Sequence, residues 1–75
     1  MAVNREREHL AQADRHIAEC KAHITRLHEL IQEVEQEGQD ASWAREVLQA
    51  FEKTLRSFEK HRQLIVDRLK DMEKG

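Results

Sequence analysis

Proline and tyrosine are absent, and 75 residues hold one cysteine, one tryptophan, two phenylalanines and two glycines. Each shortage excludes something. Without proline, a helix can be stopped only by glycine or by a polar break. A single cysteine closes no intrachain disulfide, and Cys20 among histidines lacks the paired-cysteine spacing of a structural zinc site, which points to a reducing compartment. The longest clean aliphatic run is LIV at 64–66, far short of the ~20 apolar residues that span a bilayer. The start, MAVNREREH, is charged and lacks the apolar stretch of a signal peptide, so a soluble cytoplasmic protein is expected. No surplus of one charge exists either: the net charge is −2, with basic and acidic residues interleaved almost everywhere. A basic face for nucleic acid or a membrane surface is therefore not expected.

What the chain does have is charge and aliphatic side chains. Charged residues make up 37% and hydrophobic ones 39%, a balance that reads as helix rather than disorder. The one interior glycine, Gly38, lies at the midpoint inside EGQDASW. Glycine readily takes the left-handed conformation that ends a helix, and Asp40 is suited to cap the next one. The reading is helix 1 over about 3–37, a turn over 38–40 and helix 2 over about 41–73, one domain in all.

The apolar spacing supports this independently. In the first arm Val3, Leu10, Ala13, Ile17, Cys20, Ile24, Leu27, Ile31 and Val34 alternate by three and four, broken only by Glu6. In the second, Ala44, Leu48, Phe51, Leu55, Phe58, Ile65, Leu69 and Met72 do the same, broken only by Arg62. A seven-residue period sustained through both arms predicts coiled-coil-like packing, and a short loop makes the arms antiparallel. Counting outward from the turn stacks Ile31 on Leu48, Leu27 on Phe51, Ile24 on Leu55 and Cys20 on Phe58. More apolar residues, Leu30, Val47, Leu64 and Val66, flank the stripe and make it wider than one partner helix covers. The expected fold is an all-α antiparallel hairpin that dimerises into a four-helix bundle, with the stripe residues, Leu30, Val47 and Arg62 forming core and interface. Its expected partner is itself, or another helical protein.

His9, His16 and His23 recur every seven residues beside Cys20. Seven residues rise about 10.5 Å, so the three cannot meet on one ion whose ligands stand near 2 Å. A tighter set is His16 and Cys20, four apart on one face, with His61 from the other arm. Zinc or iron could be held by these three with water or Glu19 completing the shell. The plainer reading makes Cys20 a small core residue and the histidines half-exposed flanks.

Other features admit both kinds of reading. Glu6 and His9 have the Glu-x-x-His spacing of di-iron carboxylate bundles, with Glu73 approaching from the second arm; the alternative is a solvated charge cluster. Arg62, opposite Ile17, must reach water or a carboxylate, with Asp14 or a second subunit as the source. Trp43, just past the turn, is expected to cover the end of the core. For catalysis there is no phosphate loop and no nucleophile with its base, so no enzyme is expected and no cofactor is required.

With these arms in view, the chain resembles a group of short bacterial proteins of unassigned function. The shared features are RHI at Arg15 to Ile17, the Gly-x-Asp turn at Gly38 to Asp40, FEKTL at Phe51 to Leu55, and His61 followed by Arg62. Where that group has threonine after the turn aspartate, this chain has Ala41. The resemblance implies a bacterial context and no activity.

Overall fold

The computed structural model describes residues 2–74 as two helices, α1 (Ala2–Gln36) and α2 (Ser42–Lys74), folded back on each other. No strand occurs among the described residues. The hairpin is a rod of 59 × 14 × 13 Å. Ion pairs from Arg7 to Glu73 at the open end and from Glu35 to Arg45 beside the turn establish the antiparallel arrangement.

The reversal depends on Gly38, whose φ is +75°. That conformation lets the amide of Gln39 donate to the carbonyl of Val34 at 3.0 Å and the amide of Gly38 donate to that of Glu35 at 3.0 Å. The two bonds form a Schellman motif, which satisfies carbonyls that the end of α1 would otherwise leave open. Restarting the helix takes three more residues. Ala41 is buried against Ile31 and Ala44, and its carbonyl accepts the first bond of α2, from the amide of Arg45 at 3.0 Å. Asp40 therefore stands one residue outside the cap position that the sequence suggests for it. From there its Oδ1 accepts from the amide of Ser42 at 3.0 Å and from the Ser42 hydroxyl at 2.6 Å. α2 thus starts at Ser42, one residue later than expected, with Ala41, apolar and small, buried in the core.

The core runs as a line between the helices. Ala13, Ile65 and Leu69 form its outer part, with Val3 and Leu10 packed against them; Ile31, Ala41 and Ala44 form the part beside the turn, with Val34 and Leu48. Ile31 clusters with Ala41 and Ala44, with Leu48 packed against that cluster. The ring of His23 lies against Phe51, so residues of α1 meet α2 one turn earlier in the chain than the expected stacking of Leu27 on Phe51. Farther out, Cys20 does not sit squarely on Phe58: its thiol donates to the carbonyl of Phe51 at 3.3 Å, while the ring of His16 lies 5.5 Å from that of Phe58. Cys20 settles between successive turns of α2, where a side chain on one helix finds a hollow in the other. Trp43 is a clear departure. It does not cover the core end but stands 55% exposed, because the neighbouring Ala41 and Ala44 occupy that place and turn the indole outward.

Two outcomes test the turn. No atom lies within 4 Å of where a Cβ on Gly38 would stand, so Gly38→Ala meets only the backbone penalty of about 1–2 kcal/mol, less about 0.4–1 recovered from a stiffer unfolded chain. Denaturant titration should show a net loss of about 1 kcal/mol, and a smaller one for Gly38→Asn. The bonds from Ser42 hold the Asp40 carboxyl below its ordinary value of 3.8, the side-chain bond first and the backbone bond second. A depressed folded-state value adds stability that is complete above the unfolded value and fades as pH falls through the folded one. The advantage of the wild type over Asp40→Ala should accordingly hold at neutral pH and shrink below pH 3.8 in the same titration.

Candidate interaction surface

The two long edges of the hairpin differ in chemistry. One edge carries Arg7, Asp14, Lys21 and Glu35 from α1, a column at multiples of seven, against Arg45, Glu59 and Glu73 from α2. Three ion pairs lie along it: Arg7 Nη2 to Glu73 Oε1 at 3.3 Å, Arg45 to Glu35, and Arg62 Nε to Asp14. Asp14, Lys21, Glu59 and Arg62 line a common hollow there. Arg62 thus takes Asp14, one of the two carboxylate sources that its place in an apolar stripe calls for. These pairs are half exposed, so each contributes at most about 1 kcal/mol.

The other edge is nearly free of ion pairs. Two adjoining grooves, of about 450 and about 200 Å³, run along it and share His23 and Phe51. Arg26, Leu27, Glu29, Leu30 and Glu33 line the larger, and His16, Glu19, Cys20, Thr54 and Phe58 the smaller, so the α1 side of this edge carries charge while the α2 side carries none in the grooves. The phenylalanines are only half-buried, each partly roofed by a histidine, with ring centroids 5.1 Å apart for His23 and Phe51. The heptad column of histidines thereby acquires a physical role. His16 and His23 lean over aromatic side chains that one helix cannot cover.

On the outer side of this edge α2 presents a second stripe: Trp43, Val47, Ala50, Thr54, Ser57, His61 and Leu64. Spacings of three and four continue through all seven, all are exposed, and none is an acid, lysine or arginine. The large apolar side chains that are exposed among the described residues, Trp43 at 55%, Val47 at 40% and Leu64 at 61%, all belong to this stripe. The sequence reading marks Val47 and Leu64 as flanking apolar residues but misses the stripe. Its signal was present as a gap in charge: in a chain that is 37% charged, every third or fourth position from 43 to 64 is uncharged.

The proposed metal ligands are brought together only in part. His16 and Cys20 line one groove with Glu19 and His23, whereas His61 lies outside it. Among the described residues no three His, Cys, Asp or Glu side chains gather as a metal-holding group. Glu6 and His9 do approach, Nδ1 to Oε1 at 3.4 Å, yet Glu73 turns to Arg7 instead. Glu6 is buried in the seam and accepts from Arg68 Nη1 at 3.3 and 3.5 Å, so the acidic break in α1 is answered by a cation from α2.

No helix among the described residues is long and apolar enough to cross a membrane. No protein-family model, curated protein or solved structure matches the chain.

The pair of Glu6 with Arg68 gives a signed prediction. Removing one partner of a buried carboxylate costs more than replacing the carboxylate with a well-packed apolar group. Thermal unfolding should show Arg68→Ala lowering the midpoint, by about 1 kcal/mol in stability, and Glu6→Leu leaving it unchanged or raised.

Proposed function

We propose that this chain is a self-associating helical-hairpin module, two copies forming a four-helix bundle, that acts in the cytoplasm as an interaction or scaffold element without catalysis. The observation that carries the reading is the confinement of Trp43, Val47 and Leu64 to one stripe beside half-buried Phe51 and Phe58. Isolated exposed apolar residues are ordinary on a protein surface, but large apolar residues aligned on one uncharged stripe beside half-covered aromatic rings mark a contact site. The lone cysteine is buried and hydrogen-bonded, which suits a reducing compartment.

Magnitudes say how much of the edge must take part. Covering the exposed portions of the three large side chains on each of two copies returns on the order of 10 kcal/mol, against roughly 4–15 kcal/mol for the lost freedom of two bodies. Those side chains alone break even. Covering Leu27, Leu30, Phe51 and Phe58 as well tips the balance, so the whole of this edge is required. A scaffold role adds a hetero-partner, for which a helix with an apolar stripe is the matching chemistry.

Native mass spectrometry on untagged protein, prepared without chelator, tests the reading directly. A species at twice the 8.9 kDa of one chain is expected, with a thermal midpoint that rises with protein concentration. A monomer at the highest soluble concentration would sink it. Titrating zinc or iron into the same sample tests His16, Cys20 and His61: a stoichiometric mass increment abolished by Cys20→Ser would shift the reading to a metal-binding bundle.

A further inference from the structure

The stripe on α2 has a symmetry of its own. Read from either end, it runs large, medium, small, small, small, medium, large: Trp43, Val47, Ala50, Thr54, Ser57, His61, Leu64. Across a two-fold axis each residue meets the one counted equally far from the other end, so this order would set small side chains against small ones at the centre and large against large at the ends. We propose that a second copy of this chain docks on the edge that bears this stripe, about a two-fold axis perpendicular to the helices and passing beside Thr54, so that α2 packs antiparallel on α2 of the second copy. This rests on the self-association reading and adds its geometry.

In this arrangement Trp43 of each copy covers Leu64 of the other, Val47 meets His61, and Ala50 meets Ser57. Small residues at the centre let the two helices approach closely, and the large ones close the ends. Thr54 meets its own counterpart at the axis. Along the outer flank Glu46 faces Lys60 of the other copy in two equivalent pairs. One like-charge encounter remains, Lys53 with Lys53, and both are exposed and free to swing apart into solvent.

The other helix supplies an independent check. The ion pair of Asp14 with Arg62 shows which levels of α1 and α2 lie side by side, and by that register Thr54 stands level with Ala22 and His23. The same axis therefore carries α1 past α1 of the second copy centred on that level. Glu19 of each then faces Arg26 of the other, again in two pairs, and His16 faces Leu30. Glu19 lines the smaller groove and Arg26 the larger, so both belong to the edge being covered. The register is set within one chain and the axis by the palindrome of α2. Together they bring opposite charges into apposition on α1, which neither was chosen to do. The rod, 59 by 14 Å, offers a face of about 800 Å², the area per partner of a typical stable complex.

Disulfide trapping tests the axis. In a Cys20→Ser background, Thr54→Cys places a thiol beside its own counterpart, whereas Glu59→Cys places it on the charged edge. Under mild oxidation the first should convert to covalent dimer at least tenfold faster than the second, because the bond requires Cα atoms within about 7 Å. A dimer by native mass whose two variants cross-link equally would overturn the axis while leaving self-association intact. A monomer would remove both. Charge reversal in the otherwise natural chain reads the same geometry without the cysteine background. Glu19→Arg should weaken the dimer by about tenfold, and adding Arg26→Glu should restore it. Loss without restoration contradicts the pairing on α1.

Discussion

Two parallel cylinders touch along a line, and the side chains they hide from water are those beside that line. A helix pair is therefore limited to one well-buried seam whatever its sequence. Here Ala13, Cys20, Ala41, Ala44 and Ile65 are almost wholly covered along the seam, whereas Phe51 and Phe58 are left half-covered. No large side chain is completely buried among the described residues. The aromatic groups that would contribute most to a core are thus left at its margin, under histidines, facing the edge opposite the run of ion pairs.

The polar residues of the seam follow from the same limit. Glu6 and Arg62 break the apolar stripes of α1 and α2, and both are answered from the opposite helix, by Arg68 and by Asp14. Half-exposed pairs contribute little stability, so their value lies in what they prevent. A slip of α2 along α1 by one turn would strand Glu6 in an apolar seam without its cation. Concentrating the remaining ion pairs on one edge has a related effect, since a second hairpin laid on that edge would have to desolvate them.

The repeat of three and four made the hairpin legible, because burial along a seam requires an apolar residue at each turn and nothing else in the chain competes with that demand. Gly38 was legible for the same reason, as the one interior residue free to take a positive φ. Asp40 was legible as a cap but not in its exact place, which depended on whether Ala41 would face in or out. Trp43 was misread: its size suggests burial, but the smaller Ala41 and Ala44 fit closer to the contact line. The uncharged stripe was the least legible feature. Its seven positions on α2 are separated by charged and seam residues, and they form a surface only after the helix has wound them onto one side.

The turn also orders events in time. Glu35 and Arg45 are 10 residues apart in the chain, whereas Arg7 and Glu73 are 66 apart. A direct encounter of the distant pair must close a long loop, but once the helices meet beside Gly38 each further turn has only a short gap to cross. Loop-closure cost consequently favours folding from the closed end and unfolding from the open one. Trp43 lies at the closed end and Leu64 two-thirds of the way along α2, so the stripe is complete only after most of the rod has closed.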